Sequence, residues 1–102
     1  MLLVSANRWA LMSELRGAPE PSLDELIAKL DPVDLVLIEG YKRERHDKIE
    51  AHRNATGQPL IAPDDPTIVA VASDSAPTVD VPVLDLDATR EIADFILARV
   101  GL

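Results

Sequence analysis

Two unbroken runs of aliphatic residues constrain the fold of this chain most strongly. Leu35–Ile38 follows Asp34 and precedes Glu39-Gly40, and Ile68–Ala72 is followed by Ser73-Asp74. Strands without polar alternation are typical of parallel sheets that are covered by helices on both faces. The two runs therefore predict an α/β fold with a mostly parallel sheet.

Further elements are predicted from apolar periodicity and from capping residues. The first part of the chain is predicted to begin with a short buried strand at Leu2–Val4. A helix is predicted to begin at Ser5 or Asn7 and to place Trp9, Met12 and Leu15 on one side. A second helix is predicted to be capped by Ser22 and to bury Leu23, Leu26, Ile27 and Leu30. The second part is predicted to contain an exposed or edge strand at Lys48–Arg53 and a strand at Val83–Leu86. A final helix is predicted to be capped by Asp87, to end at Gly101 and to bury Ile92, Phe95, Ile96 and Val100.

Length and charge restrict the classes of protein. The chain has 102 residues, with 10 Lys and Arg against 18 Asp and Glu, a net charge of −8. We expect one domain over residues 1–102, and the negative charge disfavours nucleic acid and anionic membranes as partners. The chain has no cysteine, no signal-peptide core and no apolar run long enough to span a bilayer, so we expect a cytoplasmic protein.

Two acidic residues follow the strongest predicted strands. Glu39 comes directly after Leu35–Ile38, and Asp74 occupies the matching place after Ile68–Ala72. Ligands of open parallel sheets collect at the carboxyl ends of the strands, and a carboxylate there is suited to hold Mg²⁺. The alternative is that both acids simply end their strands at solvent.

The segment after Glu39 is rich in cations. Tyr41–His46 contains Lys42 and two arginines, which suit either an anion site or a solvated loop. The spacing of His46 and His52 fits no compact metal motif. The four glycines are far apart and none precedes a lysine, so these residues contain no phosphate-binding loop of the form GxxxxGK[ST].

Several of these segments together resemble one family. They are Asp34–Glu44, Lys48–Glu50 with His52-Arg53, Asp64–Pro66, Ile68–Asp74, and the opening Leu2–Val4 strand with Arg8–Met12 and Glu14-Leu15. The combination closely resembles the molybdopterin-guanine dinucleotide biosynthesis protein B (MobB) family, and it extends over essentially the whole chain.

The resemblance implies the C-terminal portion of a dimeric P-loop GTP-binding protein. Such a protein assists the molybdenum cofactor guanylyltransferase, which joins GMP to molybdopterin, and its GTPase activity is weak. The implied fold is an incomplete P-loop NTPase-like α/β sheet flanked by helices. By this analogy Glu39 acts on the magnesium of bound GTP, and Lys42, Lys48 and Arg53 lie beside phosphate or pterin. Asp74 is our own assignment to the guanine base.

The chain also departs from the family pattern. The family's opening strand and its glycine-rich loop are not found upstream of Met1, and Asp47 stands where a proline is common. Since the loop supplies most of the phosphate contacts, we expect impaired GTP binding. We also expect an unpaired edge at Leu35–Ile38 or Leu2–Val4, with self-association or limited stability as the result.

Two other functions remain open on the sequence. One is a nucleotide-independent adaptor that binds the guanylyltransferase or a molybdoenzyme chaperone. The other is a magnesium-dependent hydrolase or phosphotransferase that uses Glu39 and Asp74, although an organised phosphate cradle is missing.

Overall fold

The computed structural model describes all residues from Met1 to Leu102. The chain divides into two compact units, Met1–Pro32 and Val33–Leu102. Neither of its two α-helices is long and apolar enough to cross a membrane.

The first unit begins with an antiparallel hairpin. Strand β1 (Leu2–Val4) pairs with strand β2 (Trp9–Leu11), with Val4 opposite Trp9. Ser5 closes the turn: its N–H donates to the carbonyl of Arg8 at 2.8 Å, and its hydroxyl donates to the same oxygen at 3.1 Å.

The hairpin corrects the helix predicted after Ser5 or Asn7, with Trp9, Met12 and Leu15 on one side. The Ser5 hydroxyl accepts a hydrogen bond from the N–H of Arg8 at 3.3 Å, but no helix follows, because residues 9–11 pair with β1. Strand β1 forms as predicted, but its side chains are more than half exposed, since a two-stranded hairpin has no second layer of its own to cover it.

The remainder of the first unit contains helix α1 (Leu23–Ile27). As predicted, Ser22 caps it by accepting a hydrogen bond from the N–H of Glu25 at 3.2 Å. The helix is shorter than predicted, because the N–H groups of Lys29 and Leu30 bond three residues back. Leu23 is buried, whereas Leu30 is exposed.

The second unit is built on a three-stranded parallel sheet. Strand β4 (Ile68–Ser73) is central, between β3 (Lys48–His52) and β5 (Val83–Asp85). Val71 pairs with Glu50 on one side and with Val83 on the other. The predicted edge strand at Lys48, the buried central strand and the short last strand are confirmed.

The core of the second unit lies along β4. Ile68, Ala70, Val71 and Ala72 are at most 4% exposed. Helix α2 (Thr89–Val100) follows and contacts β5. The observed α/β architecture with a parallel sheet confirms the predicted fold class.

The ends of α2 show one correct and one incorrect prediction. Gly101 ends the helix at φ 81°, and the N–H of Leu102 donates to the carbonyl of Leu97 at 2.8 Å, as in a glycine C-cap. Asp87 is not the N-cap, because Ala88 occupies that position and no side chain caps the helix. The predicted core stripe of α2 is only partly covered: Ile92, Phe95 and Ile96 are half-buried, and Val100 is exposed.

Leu35–Ile38 does not form the predicted strand. Residues 33–40 belong to no helix or strand and make no backbone hydrogen bond to any other part of the chain. Val36 is 36% exposed and Leu37 is 74% exposed. The segment has strand composition but no neighbouring strand with which to form a ladder. Leu2–Val4, the other segment expected to have an unpaired edge, is paired with β2.

Candidate functional site

The second unit contains a cavity of about 700 Å³. Its walls come from the unpaired Leu35–Ile38 segment, from strands β3 and β4, and from the last turns of α2. Most of the lining is aliphatic or aromatic, including Ile49, Ile61 and Phe95. Three of the predicted site residues, Glu39, Lys42 and Lys48, also line it.

The Lys48 ammonium is fully bonded within the chain. Its Nζ donates to the carbonyl oxygens of Glu44 and His46 and to the hydroxyl of Thr67, the last two at 3.2 Å and 2.8 Å. An ammonium group has three protons, so these acceptors use all of them. Lys48 thereby ties the cation-rich segment before β3 to the residue that precedes β4.

Thr67 also forms hydrogen bonds with Asp65, so it links Lys48 to this carboxylate. The hydroxyl of Thr67 donates to Asp65 Oδ1 at 2.6 Å, and the Thr67 N–H donates to the same oxygen at 2.9 Å. These two hydrogen bonds, with a smaller contribution from the Lys48 charge, hold the pKa of the Asp65 carboxyl below its ordinary value of 3.8. The ionised form of Asp65 is therefore favoured in the folded state.

The lowered pKa of Asp65 makes a prediction about acid stability. A carboxyl with a depressed folded-state pKa stabilises the fold above its unfolded pKa, and this contribution is lost as the pH falls through the folded value. The stability advantage of the wild type over Asp65→Asn is expected to be constant from neutral pH to about pH 5 and to shrink below about pH 4. Urea unfolding as a function of pH measures it, with Asp64→Asn as control because the Asp64 side chain accepts no hydrogen bond. An advantage that is independent of pH would contradict the assignment.

Glu50 organises the loop that closes one side of the cavity. Its carboxylate accepts hydrogen bonds from the N–H of Ile61 at 2.9 Å and from the N–H of Ala62 at 2.8 Å. Ala62 begins a 3₁₀ turn (Ala62–Asp64), so the carboxylate satisfies donors at the start of that turn. The sequence did not predict this structural role of Glu50; its place two residues after Lys48, on the same side of a strand, was the available signal.

Glu39 and Lys42 differ from these bonded residues. Both are exposed, and neither side chain makes a hydrogen bond or ion pair within the chain. Between them Gly40 and Tyr41 have φ angles of 81° and 53°, in the left-handed region that turns the backbone sharply. Glu39 and Lys42 therefore provide free charges at a cavity whose lining is mainly apolar.

Arg53 and Asp74 form a second group that does not line the cavity. Arg53 follows the carboxyl end of β3, and Asp74 follows the carboxyl end of β4. Lys48 is at the amino end of the five-residue strand β3, and Arg53 follows its carboxyl end. The length of the strand therefore separates Lys48 from Arg53 by roughly 13–17 Å. Asp74 Oδ1 accepts a hydrogen bond from the N–H of Asn54 at 2.9 Å. The five predicted residues are thus not brought together in one place.

A buried hydroxyl lies near this second group. Ser73 is 3% exposed, and its Oγ is 3.5 Å from Nδ1 of His52, whose Nε2 lies 3.2 Å from the carbonyl oxygen of Gln58. The Ser73 hydroxyl is also 3.2 Å from the hydroxyl of Ser75. These contacts satisfy a polar group in the core, and the burial of Ser73 excludes it from substrate.

The side chains at the cavity offer few free donors to magnesium or to a nucleotide phosphate. No group of three or more His, Asp or Glu side chains is placed to hold a metal ion. Glu39 offers one carboxylate, and the protons of Lys48 are already in use. Mg²⁺ bound to a nucleotide takes further ligands from phosphates and from the phosphate-binding loop. These residues by themselves therefore do not fit Mg-GTP.

The fold and the site together define a class of protein. The parallel α/β sheet, with Glu39 after an apolar segment, is consistent with a P-loop NTPase-like fold, although residues 1–102 contain no GxxxxGK[ST] loop. The family model described as "Molybdopterin guanine dinucleotide synthesis protein B" (MobB) matches residues 1–74. The chain belongs to this family.

Two curated relatives are similar over most of the chain. The molybdopterin-guanine dinucleotide biosynthesis adapter protein of Escherichia coli (strain K12) is 36% identical over 99 residues, which are 94% of this chain and 57% of the relative. The protein of the same name from Haemophilus influenzae is 39% identical over 99 residues, 94% of this chain and 53% of the relative. The chain thus spans a little over half the length of the relatives that it matches.

Proposed function

We propose that this chain acts as an adapter in the formation of molybdopterin guanine dinucleotide. It is an accessory protein of the GTP-binding type that acts in the cytoplasm and binds the molybdenum cofactor guanylyltransferase. Membership in the MobB family and the adapter name of both relatives support this role. Molybdopterin and a second copy of the chain are the further partners that the family resemblance suggests.

The observation that carries the adapter function is the chemistry of the cavity. Its lining is mainly apolar, and Lys48, Glu50 and Asp65 are already bonded inside the chain. Such a surface offers a protein partner an apolar contact area, whereas a triphosphate needs several free cationic or N–H donors. Polypeptide is therefore the better match for this cavity than a nucleotide.

Weak GTP binding is part of the same proposal. The 102 residues contain no GxxxxGK[ST] loop, and Lys42 is the cavity lysine whose ammonium has no acceptor within the chain. We assign Glu39 to magnesium, and Lys42, Arg53 and Asp74 to nucleotide or pterin, only as secondary contacts of low affinity. Lys48, whose protons are bonded within the chain, contributes only its positive charge to the same contacts. Their division between two places in the second unit supports the low affinity.

Calorimetric titration of the 102-residue chain with the guanylyltransferase tests the adapter function. Binding is expected with and without Mg-GTP, and Glu39→Ala is expected to change the dissociation constant less than twofold. Asp80→Ala is the matched control, because Asp80 is also an exposed acid but does not line the cavity. Binding that requires Mg-GTP, or a tenfold loss in Glu39→Ala alone, would favour a nucleotide-dependent function instead. Absence of any binding would contradict the proposal.

A further inference from the structure

His52 and Ser73 lie side by side at the carboxyl edge of the parallel sheet. His52 is the last residue of β3, Ser73 is the last residue of β4, and the two are direct partners in the ladder. Neither residue lines the cavity. Ser73 is 3% exposed and His52 is half-buried, so the polar atoms of both side chains depend on hydrogen-bond partners within the chain.

The partners of the His52 ring fix its neutral tautomer. The carbonyl oxygen of Gln58, 3.2 Å from Nε2, can only accept a hydrogen bond, so Nε2 carries the proton. Nδ1 of the neutral ring is then an acceptor, and the Ser73 hydroxyl at 3.5 Å is its donor. The neutral ring therefore has a partner for each of its two nitrogens.

The Ser73 hydroxyl also contacts Ser75 in two ways. The N–H of Ser75 donates to Ser73 Oγ at 3.1 Å, and the two hydroxyl oxygens are 3.2 Å apart. A hydroxyl group has one proton to donate and two lone pairs that accept. While Ser73 donates to neutral His52, it therefore accepts from both the N–H and the hydroxyl of Ser75, and its hydrogen-bonding capacity is fully used.

A proton added to His52 reverses the direction of these hydrogen bonds. Both ring nitrogens of an imidazolium are donors, so Nδ1–H donates to Ser73 Oγ. That oxygen also accepts the N–H of Ser75, so the Ser73 proton must turn to the Ser75 oxygen. The Ser75 hydroxyl then accepts from within the chain and directs its own proton outward. Ser75 is exposed, so the change reaches the surface.

Nearby charged groups do not interrupt these hydrogen bonds. The charged residues at the carboxyl ends of β3, β4 and β5 are Glu50, Arg53, Asp74, Asp85 and Asp87. The carboxylates of Glu50, Asp74 and Asp85 accept hydrogen bonds from backbone N–H groups. None of the five is bonded to the imidazole, whose contacts are Gln58 and Ser73. The charge of His52 is thus transmitted to the surface through Ser73.

We propose that His52, Ser73 and Ser75 form a pH-dependent hydrogen-bond relay, in which the charge of His52 sets whether the Ser75 hydroxyl presents an acceptor or a donor beside Asp74. Neutral His52 draws the Ser75 proton inward and leaves oxygen lone pairs at the surface. Histidine changes its charge in the physiological pH range, so this edge of the sheet acquires a pH-dependent hydrogen-bonding surface. The relay lies outside the cavity and does not depend on the adapter function.

Nuclear magnetic resonance of the wild-type chain gives the first test. Proton–nitrogen correlation spectra of the ring are expected to show the Nε2–H tautomer of neutral His52. Between about pH 5 and pH 8, the amide shift of Ser75 is expected to change with the midpoint of His52 and not with that of His46. An Nδ1–H tautomer, or a Ser75 amide that does not follow His52, overturns the relay.

Ser73→Ala provides the second test, because it removes the middle hydroxyl and leaves the imidazole in place. The pH-dependent shift of the Ser75 amide is expected to fall about threefold or more, and the remainder comes from the direct field of the imidazolium. His46→Gln is the matched control and is expected to retain the full response. An equal response in Ser73→Ala and the wild type contradicts the proposal, as does its loss in His46→Gln. The wild-type spectra decide the question whether or not Ser73→Ala folds.

Discussion

Val71→Asp is expected to unfold the second unit, Val33–Leu102. Val71 is 0% exposed and lies in the central strand, with Glu50 and Val83 as its neighbours on the two sides. A carboxylate placed there has no partner, and burial of an unpaired charge costs several kcal/mol. Small domains have total stabilities of about 5–15 kcal/mol, so the loss removes most or all of it. Circular dichroism during thermal unfolding measures the effect.

Val83→Asp is the matched control for this prediction. Val83 pairs with Val71 in register but is 40% exposed on a strand at the sheet edge. The new carboxylate can therefore remain hydrated, and a loss below about 1.5 kcal/mol is expected, as for ordinary surface-near substitutions. A cooperative transition in Val71→Asp at the wild-type temperature would show that β4 is not the centre of the core.

Lys48→Met is expected to lower the free energy of unfolding by about 2–4 kcal/mol, because it removes three hydrogen bonds from a charged donor. The carbonyls of Glu44 and His46 lose their common donor, and Thr67 loses the bond that links it to the preceding loop. Methionine keeps most of the aliphatic length of the lysine side chain. The loss of stability therefore comes mainly from the missing charge and hydrogen bonds. Urea unfolding at neutral pH gives the difference.

Lys42→Met is the control, since Lys42 also lines the cavity but makes no hydrogen bond within the chain. Its effect on stability is expected to stay within about 0.5 kcal/mol, as is usual at the surface. The pair also distinguishes the two roles of Lys48. If Lys48 mainly bound phosphate, Lys48→Met would leave stability unchanged and weaken binding of inorganic phosphate, and the internal network would be unimportant.

The sequence predicted well the elements whose signals are local. Ser22 caps α1 through the N–H of Glu25, and Gly101 ends α2 in the left-handed conformation. Both depend on side chains or backbone angles within a few residues. The unbroken aliphatic run in β4 also predicted its place in the centre of a parallel sheet, because such a composition is stable only when both faces are covered.

The failed predictions concern segments whose structure depends on distant partners or on competing local bonds. Residues 9–11 have apolar spacing compatible with a helix, but Ser5 closes a turn with Arg8 and the segment pairs with β1. Asp87 has a capping side chain, but its N–H donates to Asp85 Oδ1 and the helix begins after Ala88. In both cases a nearby hydrogen bond selects a different backbone path.

The candidate site was predictable in composition but not in arrangement. One cavity is lined by Glu39, Lys42 and Lys48. Arg53 and Asp74 do not line it, because they come after the carboxyl ends of β3 and β4. A sequence shows that Lys48 is a cation, but it does not show that Thr67, 19 residues later, accepts one of its protons. The free or bonded state of a charge depends on such long-range contacts.

The sequence by itself determined the α/β class, the position of the central strand, the caps at Ser22 and Gly101, and the resemblance to the MobB family. Tertiary structure alone decided that Leu35–Ile38 pairs with no strand and that Lys48 and Glu50 form hydrogen bonds within the chain. It also decided that Leu35–Ile38, β3, β4 and α2 enclose a mainly apolar cavity. The physical reason is that propensity and capping act over a few residues. Strand pairing and the satisfaction of charged groups require partners that only the folded chain brings close.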